Sequence, residues 1–271
     1  MMRTGCYRGA LVLVLFLLTA GGVRCGTGPG DTLRVPVGFG AGGDVLPGCD
    51  ADTASLLPPV YVWQRPLPAV GTALPLLVGT GTLFVEPLER ANVLIREEVQ
   101  IVRWRRFEHR RFAFDNGLQF LPLASVVGLG LLGVPARHET LPRLSRSVSA
   151  VAVSSLVVQS LKHSITKRRP SGVSFNTFPS GHSAFAFCGA ELLRLEYGHT
   201  SAWIPAAGYG VALLTGAMRV YNDNHWTGDV LAGAAIGVLA ADFADLLNVW
   251  LLDPLWRRNR QQVNANEPIL R

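Results

Sequence analysis

Six apolar stretches, at residues 69–85, 118–134, 148–161, 184–195, 202–217 and 230–252, constrain this chain more than anything else in it. They recur too often and are too poor in charge to be strands of an ordinary soluble core. Several fall short of the ~20 residues that a helix needs to cross a bilayer, so they span only with their flanks. Glycine and other small residues are scattered through them, which suits close helix–helix contact in lipid. The composition agrees: of 271 residues, 49% are hydrophobic and only 16% charged, too apolar a balance for a typical soluble domain. The expected fold class is all-α, a polytopic transmembrane helix bundle. No internal repeat interrupts this reading.

The rest of the chain divides around those segments. Residues 1–25 read as a secretory signal: Arg3 and Arg8 precede a short apolar run, and small residues Ala20, Gly21 and Gly22 offer cleavage sites. An uncleaved anchor is the alternative. Residues 26–68, rich in Gly, Pro and Asp, read as an exported segment with little regular structure. Residues 69–113 join an apolar segment to a basic stretch that carries Trp104, Phe107 and Phe112. That stretch reads as an amphipathic helix on a membrane surface, or else as a solvated connector. Residues 114–253 hold the remaining apolar segments, with Asp115 and Asn116 expected to cap the first of them. A polar tail fills 254–271. The net charge of +6 does not imply nucleic acid, because the arginines lie between apolar segments and build no reading surface. Membrane headgroups and an anionic substrate account for them better. The four cysteines, Cys6, Cys25, Cys49 and Cys188, show no metal-ligand spacing and fix no disulfide.

Three blocks carry chemistry. Lys162 is followed after six residues by Arg169-Pro170; Pro179-Ser180-Gly181-His182 comes next; Arg219 is followed after five residues by His225 and after three more by Asp229. A phosphate monoester carries nearly two negative charges and repels a nucleophile. Lys162, Arg169 and Arg219 can neutralise that charge, the arginines with a planar fork. Ser180 and Gly181 precede an apolar run. If that run is helical, their backbone N–H groups point at an anion, and Gly181 permits close approach. His225 and Asp229 are four apart and would share a face of one helical turn. The carboxylate could then orient one imidazole nitrogen and leave the other to attack phosphorus. His182 remains as general acid, then base. Singly, each block has a plainer reading: a membrane-boundary anchor, a turn with a cap, a structural His/Asp pair. Lys167 and Arg168, off the fixed positions, read as solvated or headgroup charges, and His163 as local polarity.

Together the blocks resemble the type 2 phosphatidic acid phosphatase and vanadium haloperoxidase superfamily, over roughly residues 114–250. One position departs from that pattern: Met218 stands where the family has serine. The resemblance implies a membrane bundle of the phosphatidic acid phosphatase kind and a metal-independent hydrolase without cofactor. Its partners would be membrane lipids and a lipid-linked phosphate, such as phosphatidate, phosphatidylglycerol phosphate, polyprenyl diphosphate or a lipid A type. A phosphohistidine would form on His225, with His182 as acid–base and Asp229 as orienting residue. Lys162, Arg169, Ser180, Gly181 and Arg219 would hold the phosphate. Alternatives are a secreted acid phosphatase, a vanadate-dependent haloperoxidase and a non-enzymatic membrane protein. The lipid and the oligomeric state are left open.

In a bundle of alternating helices the three blocks fall on one membrane face. The signal-like start, the basic tail at Arg257, Arg258 and Arg260, and a supposed loop at Arg143 and Arg146 put that face outside. A bacterial inner membrane protein with a periplasmic site is expected. The basic connector argues the other way, and the reading requires residues 69–85 to insert only partly.

Overall fold

The computed structural model describes residues 69–108 and 110–256. The signal segment, the Gly/Pro-rich segment and most of the polar tail lie outside the described residues. Within them the chain is helical: α1 (Ala69–Gly81), α2 (Glu86–Phe107), α3 (Asp115–Leu118), α4 (Leu121–Leu131), α5 (Thr140–Ser164), α6 (Gly181–Tyr197), α7 (Trp203–Tyr221) and α8 (Thr227–Leu247). A π-helical turn, Asn248–Leu252, prolongs α8. No strand occurs among the described residues, only an isolated bridge between Lys167 and Asn176. The all-α expectation holds.

The apolar runs set where the helices lie, and their small residues set how closely they pack. Helix α6 is the centre: Ala184, Ala186, Cys188, Ala190, Leu192 and Leu193 are buried along it, and α8, α7, α4 and α5 pack around it. Helix α8 meets α6 through a face of alanine and glycine. A Cβ on Gly233 would run into the carbonyl oxygen of Ser180, so only glycine lets α8 lie this close to the start of α6. Helix α1 docks on α8 by the same device. A Cβ on its Gly79 would sit 2.6 Å from both the Ala232 nitrogen and the Gly228 oxygen. The described part of α1, 13 residues, accounts for ~20 Å of helix.

Among the described residues, two helices are long and apolar enough to cross a membrane, Thr140–Ser164 and Thr227–Trp256. Helix α5 begins earlier than expected. Arg143 and Arg146 lie inside its first two turns and are buried, not in a loop. Arg146 donates to Asp245 at 2.9 Å and to Asp253 at 2.6 Å, tying the start of α5 to the end of α8. Buried charge of this kind is tolerated only when paired and hydrogen-bonded. Lys162 and Asp229 sit at the opposite ends of these two helices. The ends of α5 and α7 and the starts of α6 and α8 therefore meet at one end of the bundle, as helix parity requires.

Candidate active site

All three blocks converge at that end. The loop between α5 and α6 folds back on itself. The Lys167 amide donates to the Phe175 carbonyl and the Arg169 amide to that of Ser174, and Gly172, at φ 76°, makes the turn. The loop is held against the α7–α8 connection. Ser171 N–H donates to the Asp223 carbonyl at 3.2 Å, and Trp226 Nε1 donates to the Arg168 carbonyl at 2.9 Å.

His225 does not lie on a helical turn with Asp229, contrary to the expectation from their spacing. It sits just ahead of α8, whose N-cap is Trp226, and its amide donates to the Arg219 carbonyl. Asp229 is fully buried in the first turn of α8. One of its oxygens accepts from the Trp226 amide at 3.0 Å and from the Thr177 hydroxyl at 2.6 Å. The other accepts from Lys167 Nζ at 3.1 Å. His225 Nδ1 lies 3.2 Å from Thr177 Oγ1 and 3.7 Å from the Asp229 carboxylate. Thr177 thus bridges the pair: its hydroxyl donates to Asp229 and can accept from Nδ1–H. This fixes Nδ1 as the protonated nitrogen and leaves Nε2, which makes no hydrogen bond among the described residues, with its lone pair free. Burial holds the His225 pKa below the usual histidine value; Asp229 opposes that shift, and the charges of Lys162 and Arg219 reinforce it. The imidazole is therefore neutral near pH 7.

Lys162 and Arg219 lie close enough for their charges to act on the His225 ring. Lys162 Nζ donates to the Asn176 carbonyl at 2.9 Å and feels the charges of Arg169, Asp229 and Arg219. Arg169 is lowered from the ordinary arginine value by burial first, then by Arg219. Arg219 Nη1 is held by Asp115 at 2.8 Å and lies 3.3 Å from Asn116 Oδ1. The Nε atoms of Arg169 and Arg219 are both buried, and neither has an acceptor among the described residues. Two guanidinium edges left unsatisfied beside a lysine are suited to an incoming oxyanion. His182 Nε2 is 3.1 Å from Asn116 Oδ1, and its ring senses Arg219 and His225.

The PSGH block departs in one detail from the expectation. Ser180 is the N-cap of α6, and its hydroxyl accepts from the Ser183 amide and hydroxyl. Its own amide is not free for an anion, because it donates to the Asp229 carbonyl at 3.0 Å. The amides of Gly181 and His182, the first two helical positions, have no intrahelical acceptor and are the ones left for an anion to meet. Lys167, read as a solvated charge, is instead the ion-pair partner of Asp229. Asp115 and Asn116, expected as caps, make no cap bond; they hold Arg219 and His182. Thr177, Asp115, Asn116 and Lys167 were missed because their roles depend on contacts across long stretches of sequence. For Thr177 the nearest signal was its place three residues before Ser180. No three or more His, Cys, Asp or Glu side chains gather as a metal site among the described residues.

Comparison with known proteins bears on this geometry. Residues 144–246 match the model of the PAP2 superfamily. The matched stretch contains all the residues of the three blocks. Residues 144–246 are a PAP2 superfamily domain. The chain is also 32% identical, over 213 residues, to the lipid A 1-phosphatase of Porphyromonas gingivalis. That match takes in 77% of this chain but 45% of the relative, so the chain spans less than half the length of the curated relative it matches. Two solved structures are similar. Aquifex aeolicus LpxE is 22% identical, with a TM-score of 0.41, covering 55% of this chain and 92% of that one. The PAP2 type phosphatidylglycerolphosphate phosphatase of Bacillus subtilis is 22% identical, with a TM-score of 0.48, covering 67% and 96%. Helices α1 to α3, with Asn92, Arg96, Arg103, Asp115 and Asn116, lie ahead of the PAP2 domain yet reach its site.

Proposed function

We propose that this protein is a membrane phosphatase that removes phosphate from a lipid-linked phosphoester by way of a phosphohistidine. The observation that carries the reading is the Asp229–Thr177–His225 chain, which presents a free Nε2 beside two guanidinium groups with unsatisfied Nε atoms. In the first step the Nε2 lone pair attacks phosphorus and the bond to the lipid oxygen breaks. His182 gives that oxygen its proton. In the second step a water oxygen attacks phosphorus, His182 takes its proton, and the P–N bond breaks to release inorganic phosphate. Asp229 and Thr177 stabilise the charge that develops on the imidazole, as the acid of a catalytic triad does. Lys162, Arg169 and Arg219, with the amides of Gly181 and His182, stabilise the charge on the equatorial oxygens.

A lipid substrate is supported by the apolar helices that meet at the site. Among lipids, a lipid A type phosphate is favoured by the Porphyromonas gingivalis relative, a lipid A 1-phosphatase. Phosphatidate, phosphatidylglycerol phosphate and polyprenyl diphosphate are the comparison substrates. The site belongs at the membrane face of an inner membrane protein, on the periplasmic side.

The test is phosphate release from these four lipids by purified protein in EDTA, together with quenching in alkaline detergent, which preserves the acid-labile P–N bond, after brief exposure to radiolabelled substrate. Turnover should persist without divalent metal, vanadate should inhibit it as a mimic of the five-coordinate state, and label should be trapped in the wild type but not in His225→Ala. Strict dependence on added Mg²⁺, or label that survives His225→Ala, would overturn the mechanism.

A further inference from the structure

Asn116 lies on α3, outside the three sequence blocks, yet its side-chain oxygen meets two of their members at once. Oδ1 is 3.3 Å from Arg219 Nη1 and 3.1 Å from His182 Nε2. The chemistry of these groups leaves one assignment. A guanidinium only donates, so the atom that Asn116 turns to Arg219 is its carbonyl oxygen and not its amide nitrogen. That oxygen only accepts, so His182 Nε2 carries the proton between them. The other ring nitrogen, Nδ1, makes no hydrogen bond among the described residues. Burial is the first cause that pushes the His182 pKa down, to about 4; Arg219, His225 and Arg169 add to it, and Asp115 opposes it. The resting ring therefore holds a single proton near pH 7, on Nε2, and its lone pair is on Nδ1.

The turn that carries Asn116 is fixed on both sides. Asp115, the preceding residue, is buried and accepts from Arg219 Nη1 at 2.8 Å. Asn222, at the end of α7, donates to the Phe112 carbonyl at 2.7 Å and accepts from the Phe112 amide at 3.1 Å. On the other side, the Phe120 ring packs edge-on against Phe185, with centroids 5.2 Å apart, and Phe185 is one helical turn beyond His182. The α3 turn is thus tied to the end of α7 and to the start of α6, and the Asn116 side chain joins the two.

We propose that Asn116 is the positioning residue of the general acid: its Oδ1, oriented by Arg219, holds His182 with a proton on Nε2, so that Nδ1 is the nitrogen that gives a proton to the lipid oxygen and takes one from water. The proposal rests on the phosphatase reading and adds which ring nitrogen works and what holds the ring. A bound phosphate answers the charges of Arg219 and Arg169, and the ring takes a second proton from solvent, on Nδ1. That proton passes to the oxygen of the breaking P–O bond, and the ring returns to its Nε2–H form. In the second step Nδ1 takes a proton from the attacking water, and that proton returns to solvent as phosphate leaves. Asn116 accepts from Nε2–H throughout, as the third member of a catalytic triad steadies its histidine.

The test compares kcat/KM, which reports the steps up to cleavage of the ester bond, for two phosphate esters. One is an alkyl ester, whose alkoxide must be protonated as it leaves. The other is a nitrophenyl ester, whose phenolate leaves without a proton. Asn116→Ala should lower the alkyl-to-nitrophenyl ratio about tenfold, a part of the roughly 10²–10⁴-fold that a placed acid contributes. Asn116→Asp keeps an acceptor and should bring the ratio back to that of the wild type. Any loosening of Arg219 costs both esters alike and leaves the ratio where it was. An unchanged ratio in Asn116→Ala, or one that Asn116→Asp does not restore, overturns the proposal. His182→Gln is the reference: if it too leaves the ratio unchanged, His182 is not the acid, and the proposal falls with that assignment. If the wild type hydrolyses neither ester, the phosphatase reading fails, and nitrogen-15 NMR of the histidine rings, on the full chain in lipid bilayers, decides the placement alone. The His182 signal, identified by its absence from His182→Gln, should show the proton on Nε2 in the wild type and lose that preference in Asn116→Ala. A proton on Nδ1 in the wild type, or an Nε2–H form indifferent to Asn116, overturns it.

Discussion

At the scale of single residues, the site is a set of paired charges with two deliberate gaps, the free Nε2 of His225 and the unsatisfied guanidinium edges. His225→Ala should abolish turnover, and Asp229→Asn should leave a folded but much slower enzyme, as steady-state rates and circular dichroism would show. Thr177→Val removes the bridge between them. Its cost should be on the order of 1–3 kcal/mol in activation free energy, because a buried Nδ1–H then loses its acceptor. A rate equal to that of wild type would mean that Asp229 reaches the histidine without Thr177. The pH profile offers an independent check. The attacking imidazole must be neutral, so the acid limb of kcat/KM reports the His225 pKa in the free enzyme. Burial and the charges of Lys162 and Arg219 depress that pKa, so the limb lies below the usual histidine value. Lys162→Gln removes one depressing charge, so the pKa rises and the limb moves to higher pH. A limb that stays put or moves to lower pH would contradict this. The residues that the structure brings together as the proposed nucleophile, acid, orienting carboxylate and three cations could be picked out in sequence, because their spacing is a local constraint. Thr177, Lys167, Asp115 and Asn116 were not. A threonine in a loop or an Asp-Asn before an apolar run fits many roles, and only the fold brings Asp115 to Arg219, 104 positions away.

At the scale of elements, helix ends carry the candidate site and glycines set how close the helices come. The apolar runs announced α4 to α8, and their order implied a shared face. The starts and ends of helices were less legible. The charges at Arg143 and Arg146 marked a loop by hydrophobicity, yet they sit within α5 because Asp245 and Asp253 satisfy Arg146 there. The spacing of His225 and Asp229 fits a helical turn, yet α8 starts between them because the Asp229 carboxylate accepts from the Trp226 amide and caps its first turn. The α6–α8 contact can be tested at Gly233. A valine there would collide with the Ser180 carbonyl and push α8 off the start of α6. The Ser180 amide bond to Asp229 would loosen with it. Gly233→Val should therefore lower both thermal stability and activity, whereas Leu213→Val, at an exposed position of α7, should alter neither by much. Equal tolerance at the two sites would show that the close approach is dispensable.

At the scale of the whole molecule, the PAP2 domain does not complete its own site. Helix α2 grips the α7–α8 connection through Arg96 and the first turn of α8 through Asn92, and α3 supplies Asp115 and Asn116. A chain that starts at residue 144 should lose activity even if its helices form, and circular dichroism read beside phosphate release would separate folding from function. Sidedness is a second prediction at this scale. In a cysteine-free background, cysteines at Val173, 84% exposed in the loop between α5 and α6, and at Asn264, in the C-terminal tail, should label oppositely with an impermeant thiol reagent in intact cells, Val173 from outside. Labelling at Asn264 alone would place the site in the cytoplasm.

The tether between Arg219 and Asp115 has a kinetic meaning. On the proposed phosphatase reading, one edge of the guanidinium is bound to Asp115 from the moment the chain folds, so the other edge is already aimed when a phosphate arrives. Little side-chain freedom is lost on binding. Equally, part of the cation's charge is already answered, so it grips a free phosphate ion less firmly than an isolated arginine would. The same carboxylate that readies the clamp also loosens it, and a product that leaves readily keeps the turnover from stalling on its own output.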